Sequence, residues 1–335
     1  MSHTVENSSI QTIRNEPQGT VLVLGATGGI GGAVAEAFAS RGYQVRAMHR
    51  NGSVMADRKP EYEWVKGDAM NRDDVIAAAN GAQIIVHAVN PPGYRNWGAL
   101  VLPMIDNTIA AAKAVGARIV LPGTVYNFGP DAWPLIREDS PQHPTTVKGG
   151  IRVEMEARLE AASKQGVKVL IVRAGDFFGP SAGNNWFAQM VKSGEPVDSI
   201  TVPGTTGIGH QWAYLPDLAE TMVRLLEANS VLPDFARYHF EGFWDHDGLQ
   251  LAEAIRRVTG KPALKVKRFP WWLVRLARPF VGIFRELWEM RYLWQRKLRM
   301  PNDKLIAVLG EEPRTPLDDA VRRTLADFNC LETRP

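Results

Sequence analysis

Cysteine is nearly missing from this chain: Cys330 is the sole one in 335 residues. That excludes an intramolecular disulfide and any cysteine-built metal site, and it makes a reducing, cytoplasmic compartment the default expectation. Charge of one sign is missing too. Lys plus Arg total 39 against 36 Asp plus Glu, a net of +3, so the clustered basic stripe of a nucleic-acid binder is not there. No transmembrane helix is expected. The most apolar late stretch, Trp271 to Phe284 (WWLVRLARPFVGIF), is interrupted by Arg275, Arg278 and Pro279, which is too short and too charged for a transmembrane helix. Residues 1–18, MSHTVENSSIQTIRNEPQ, carry Glu and Asn where a signal peptide needs apolar side chains, and read as a disordered tail. Repeats and low-complexity segments are lacking as well.

What is present is a regular alternation from Thr20 onward. TVLVLG is an apolar run ending in glycine, GGAVAEAFASRG is an alanine-rich helix closed by Gly42, and QVRAMHR is the next strand. The rhythm continues through YEWVKGD, the helix DDVIAAANG, AQIIVHAVN, a long helix from about Leu100 to Val115, ARIVLPG and KVLIVRAGDFFGP. Strands alternating with helices at this spacing predict an α/β fold, a Rossmann-type doubly wound parallel sheet. Beyond about Phe177 the pattern weakens into loops rich in Gly, Pro and Trp, a helix near Pro216 and a strand at RYHFEG. The expected organisation is a dinucleotide-binding domain over 19–180 and a smaller substrate-binding cap with C-terminal helices over 181–335, with segments such as 205–245 returning to the core. Such a cap would cover the carboxyl edge of the sheet, where open α/β folds bind ligands.

The densest motif is Val23-Leu-Gly-Ala-Thr-Gly-Gly-Ile-Gly-Gly32, in which a strand runs into a helix through Gly25, Gly28 and Gly31. Glycines suit a tight turn, close backbone approach to a pyrophosphate and close packing of helix on strand. The phosphate charge would sit at the helix amino terminus, by Thr27, Gly28, Gly29 and Ile30. A merely tight βα turn is the alternative. About twenty residues past the glycines, where an NAD site usually carries an acid, the chain reads Val45-Arg-Ala-Met-His-Arg50. Arg50 can pair with the 2′-phosphate of NADP, which favours NADP and leaves NAD open; a solvated strand-end charge is the other reading.

The Gly-x-x-Gly-x-x-Gly spacing resembles the short-chain dehydrogenase/reductase superfamily, in its extended or atypical epimerase/dehydratase-like branch, and the resemblance runs from about Thr20 to Leu226. It implies that Asp68 and Ala69 hold the adenine and that His87, Ala88 and Val89 line the cofactor. Val125-Tyr-Asn127 matches the turn after the fifth strand. Arg173 and Ala174, within Arg173-Ala-Gly-Asp-Phe-Phe-Gly-Pro180, match a strand end that flanks the nicotinamide. His210 to Ala219 is similar to the segment that opens the substrate-side helix.

The family's chemistry uses a Ser or Thr after the fifth strand and a Tyr-x-x-x-Lys pair on the next helix. Here the lead-in is intact, Arg137 to Pro141 and His143 to Thr146, but the pair reads Lys148-Gly-Gly-Ile-Arg152. A positioned acid or base typically contributes about a hundredfold to ten-thousandfold, so simple loss of the tyrosine would leave a poor enzyme. Three readings follow. Lys148 takes over proton transfer, aided by burial and by Arg152 one turn away; Tyr126 supplies a phenol from the preceding loop; or both cations only bind cofactor or an anionic substrate. Thr124 is the nearest hydroxyl, two residues before Tyr126 where the family has about four, and it equally suits a turn cap. The family tyrosine in this turn is usually structural.

Ser/His/Asp hydrolysis, which needs three side chains converging, is not expected. His239, His246, Asp245 and Asp247 read as a strand end and a helix cap, so no metal is expected. Asn184, Trp186 and His210 come from loops that would close over the nicotinamide and suit an apolar pocket with a few orienting hydrogen bonds; cap packing is the alternative for the tryptophans. His210 stands about where sugar-nucleotide epimerases carry a phosphate-reading arginine, which argues against a nucleotide-sugar substrate. The Trp- and Arg-rich stretch 269–300 packs on its own domain or on a second copy in a homodimer, or lies on an anionic membrane surface. The leading expectation is an NADP-preferring oxidoreductase or epimerase/dehydratase-like enzyme acting on a small carbonyl or alcohol by hydride transfer. The rival is a non-catalytic NADP(H)-binding sensor or scaffold.

Overall fold

The computed structural model describes residues 18–91, 96–182, 185–228 and 232–332. Its first strand, β1 (Thr20–Leu24), shows how the sheet is made. Val21 and Val23 face one core and Leu22 and Leu24 the other, all fully buried. A strand apolar on both faces is stable only between two helical layers.

Those layers are built by the alternation read above. After β1 come α1 (Gly29–Ser40), β2 (Gln44–His49), α2 (Gly52–Arg58), β3 (Glu63–Lys66), α3 (Arg72–Ala79), β4 (Ile84–His87), α4 (Trp97–Val115), β5 (Arg118–Gly123), α5 (Val147–Ser163) and β6 (Val169–Arg173). After an excursion into the cap, the chain returns through α7 (Leu215–Glu227) and β10 (Phe235–His239). The sheet has seven strands in the order β10-β6-β5-β4-β1-β2-β3, and every pairing is parallel. The chain reverses its winding between β1 and β4, which opens a crevice at their carboxyl ends. Helices α1 and α7 cover one face; α3, α4 and α5 cover the other. Among the described residues α4 alone is long and apolar enough to cross a membrane. It packs instead against the sheet through Val101, Ile105 and Ile109.

The cap has its own core. Strands β7 (Asp176–Phe178), β9 (His210–Tyr214) and β11 (Phe243–Asp245) form a three-stranded sheet, and β8 (Ser199–Val202) pairs with β12 (Lys265–Arg268). Around them lie α6 (Trp186–Met190), α8 (Gln250–Thr259), α9 (Trp271–Ala277), α10 (Gly282–Glu289), a 3-10 turn over Met290–Trp294, α11 (Asp303–Leu309) and α12 (Leu317–Asp327). Phe178, Trp212, Leu293, Trp294 and Met300 meet in the middle.

Candidate active site

The glycine loop closes the crevice between β1 and β4. Gly25 adopts φ +93°, and a Cβ there would lie 2.6 Å from the Ala88 carbonyl oxygen at the end of β4. A Cβ on Gly31 would overlap the Gly25 carbonyl itself. The Gly28 amide donates to that same oxygen at 2.9 Å, and Gly28 caps α1 with extended backbone. Side chains are thus excluded at Gly25 and Gly31, and the first amides of α1 are presented to whatever lies above the turn.

From Ala26, Thr27 and Gly28 a groove of about 840 Å³ runs outward past His49, Arg58 and Lys59. Arg50 is exposed at the end of β2. Arg58 and Lys59, which line this groove together with Arg323, were passed over in the sequence because α2 has no distinctive pattern. Asp68 organises its own turn: its Oδ1 accepts from the Met70 amide at 3.0 Å and its amide donates to Asp74 Oδ2 at 2.9 Å. Ala69 is tied to α4 through its carbonyl, which accepts from Asn107 Nδ2 at 2.9 Å.

His87 ends β4 with its ring buried. Thr108 Oγ1 donates to the Met104 carbonyl at 3.1 Å, so at 2.8 Å from His87 Nδ1 it serves as acceptor, which places the proton on Nδ1. Burial first, and Arg152 second, push this imidazole down to about 3. Arg152 itself lies with its guanidinium 5.1 Å from the Trp97 ring centre and donates to Met155 Sδ at 3.6 Å. Its charge is felt at His87, the last residue of β4.

Helix α5 begins as its sequence suggests, with the Thr146 hydroxyl accepting from the Gly149 amide at 3.0 Å. A Cβ on Gly149 would run into the Tyr126 carbonyl, so glycine here lets the helix press on the loop after β5. In that loop Thr124 Oγ1 accepts from the Tyr126 amide at 3.3 Å, and Tyr126 packs on the cap core. The larger departure from expectation is at Lys148, 2% exposed. Its Nζ donates to Glu286 and, at 2.5 Å, to Glu289 Oε2, while its amide donates to Glu289 Oε1 at 3.1 Å. Arg152 was the expected electrostatic neighbour; the groups on the ammonium are two carboxylates of α10. They escaped the sequence reading because they lie one turn apart within a stretch dominated by Arg and Trp.

Arg173 is fully buried, donating through Nε to Glu156 Oε1 at 3.0 Å and through Nη1 to His239 Nε2 at 3.2 Å. Its guanidinium ties β6 to α5 and β10 rather than facing the crevice; burial first, then Arg173, keeps His239 well below the ordinary imidazole range. Ala174 is buried beside it. On the cap side, Asn184 lies outside the described residues. Trp186 packs edge-on to Trp294 at 5.1 Å, and His210 is bonded to Asp176 Oδ2 through Nε2 at 2.8 Å and stacked on Trp294 at 3.8 Å. Tyr292, stacked on Trp133 at 5.5 Å, has its phenol pushed far above the ordinary range by burial, with Glu289 and Asp176 adding to it. Asp245 accepts from the Gly248, Gln250 and Leu251 amides at 2.8–3.2 Å and caps α8. Among the described residues no group of three His, Cys, Asp or Glu is placed to hold a metal.

Comparison with known proteins agrees with this layout. The NAD dependent epimerase/dehydratase family model matches residues 21–238. A 3-diazoavenalumate denitrifying reductase of Streptomyces sp is 30% identical over 181 residues, which cover 49% of this chain and 58% of that protein. The chain thus spans little more than half the length of that relative. The Bordetella bronchiseptica enzyme WbmH, solved in complex with NAD+, superposes with a TM-score of 0.70 at 19% identity, covering 93% of this chain and 98% of that one. A UDP-N-acetylglucosamine 4-epimerase from Bacillus cereus gives 0.70 at 16%, covering 94% and 98%. At such identities the structures speak for the fold, while the family match extends over well over half of the sequence. The chain belongs to the NAD dependent epimerase/dehydratase family.

Proposed function

We propose that this protein binds a nicotinamide dinucleotide, NADP in preference to NAD, and transfers hydride to or from a small, partly apolar carbonyl or alcohol beneath the cap. The observation that carries this reading is the glycine loop, where Gly25 and Gly31 are packed against backbone so closely that no side chain fits. A turn with bare glycines at its tightest points, at a switch point and a helix amino terminus, accommodates a pyrophosphate. Gly25 and Thr27 to Gly31 would hold the phosphates, Asp68 and Ala69 the adenine, and His87 to Val89 the nicotinamide side. Arg50 would meet the 2′-phosphate, with Arg58 and Lys59 adding positive charge along the groove. Arg152, whose charge helps to lower His87 at the tip of β4, would meet the ribose. Arg173 and Ala174 would act through packing of the strand end.

Bound there, the dinucleotide supplies the hydride. The chain's own part is the oxygen and its proton. Thr124 would orient the substrate oxygen by hydrogen bond, and Lys148 Nζ would donate a proton to it. The neutral amine would then regain its proton from water by way of the part-exposed Glu289 carboxylate, whose Oε2 lies 2.5 Å from Nζ. Tyr126 would shape the floor of the site. Trp186, His210 and Asn184 would contact substrate from the cap. The similarity to a reductase that covers about half of this chain supports the same direction of reading. One observation favours a second reading, a non-catalytic NADP(H)-binding sensor: Glu286 and Glu289 already hold Lys148.

Titrating NADPH and NADH by nicotinamide fluorescence, followed by turnover against a panel of small carbonyls, separates the two. We expect NADPH to bind on the order of tenfold more tightly, one charge-assisted contact's difference, and Arg50→Ala to erase that preference. Unchanged NADPH affinity in the variant removes Arg50 from the 2′-phosphate. Tight binding with no oxidation by any carbonyl establishes the sensor.

A further inference from the structure

The stretch from Lys261 to Arg285 holds seven Lys or Arg and no Asp or Glu. In a chain whose total excess is +3, that is a strong local bias. Within it, α9 divides its side chains between two sides. Val274 is buried, and the Trp271 indole donates to the Pro203 carbonyl at 2.8 Å, so one side is fastened to the cap. On the other, Trp272 is 66% exposed, Leu276 65% and, just past the helix end, Phe280 88%. These three recur at intervals of four, and Leu273, Val281 and Ile283 extend the patch. The face is held in shape, because the Trp288 ring of α10 lies between the guanidinium groups of Arg278 at 4.9 Å and Arg291 at 4.6 Å.

We propose that this face, α9 with the start of α10, docks on an anionic bilayer surface. A contiguous exposed apolar patch marks an interaction site. Its chemistry selects the partner: indole, leucine and phenylalanine suit the boundary between headgroups and acyl chains, while arginines on flexible stems reach outward to lipid phosphates. A protein partner would have to answer seven cations spread over some two dozen residues without an intervening acid; an anionic membrane does so everywhere along its surface. The inference rests on this surface alone and is independent of the chemistry proposed for the site.

The test is flotation of the full chain with vesicles of phosphatidylcholine alone or with phosphatidylglycerol added. We expect partition onto the anionic vesicles, on the order of tenfold weaker onto neutral ones, and weakened by salt. Arg275→Glu with Arg285→Glu should lower anionic binding by roughly tenfold or more. Trp272→Ser with Leu276→Ser and Phe280→Ser should abolish it without changing the melting curve, since those side chains are exposed. Equal binding to both vesicle types overturns the proposal, and so does undiminished binding of the triple variant. A concentration-dependent dimer that the triple variant abolishes, with no vesicle binding by the parent, would assign the face to a second copy of the chain instead.

Discussion

At the scale of single residues, His87 offers the clearest pH dependence. Its imidazole titrates near 3 in the folded chain, through burial and then Arg152, against about 6.5 when unfolded. Between those values the unfolded chain takes up a proton that the folded chain refuses. Stability is therefore lost as pH falls from about 6.5 toward 3, by about 1.4 kcal/mol per pH unit for this group, and nothing is lost above 6.5. His239, also depressed, acts in the same direction. Asp217, Asp245 and Glu312 act in the opposite one, because burial raises them and protonation relieves their desolvation. The readout is accordingly a difference. Urea midpoints from pH 7 to 4 should fall less steeply for His87→Asn than for the parent, and parallel curves would show that the imidazole does not charge on unfolding.

At the scale of elements, α10 is fastened to α5 by a cation between two carboxylates. Lys148 is 3% exposed in its side chain, Glu286 30% and Glu289 24%, so the cation is sheltered while the carboxylates keep some water. Removing one side of a buried pair typically costs about 3–5 kcal/mol, whereas replacing the whole set by apolar or neutral groups is often close to neutral. Glu286→Gln with Glu289→Gln should therefore lower the urea-unfolding free energy by roughly 2–4 kcal/mol, discounted for the partial exposure of the carboxylates. Adding Lys148→Met should recover most of that loss. A double variant within about 0.5 kcal/mol of the parent would show that the clamp contributes nothing beyond a surface pair.

At the scale of the whole molecule, what was legible in the sequence is what depends on neighbours along the chain. The doubly wound sheet followed from alternating apolar runs, and the glycine turn from spacings of three residues. The long helix starts at Trp97, a few residues before the expected Leu100, and the buried Trp97 ring packs with the Arg152 guanidinium. The partners of Lys148 were not legible: they lie 138 and 141 residues away, and no local pattern reports a contact made by folding the cap back over α5. The same holds for Asp176 beneath His210 and for Tyr292. The Trp- and Arg-rich stretch, read as one stripe, splits in the fold. Trp271 and Trp294 build the cap core, whereas Trp272 and Phe280 point outward. Local contacts form before distant ones because loop closure costs entropy. Pulsed hydrogen exchange during refolding should thus protect the amides of β1, β4 and β5 before those of α10 and residues 290–294, and simultaneous protection would contradict that order.

The distance between Lys148 and the carboxylates that hold it also sets a schedule for synthesis. At about 5–20 residues per second, Lys148 leaves the ribosome on the order of ten seconds before Glu286 and Glu289 are made. Throughout that interval the glycine turn and the strands around it are already outside, while the residues that close the site do not yet exist. The nascent protein thus has a period in which the crevice stands uncovered by α10.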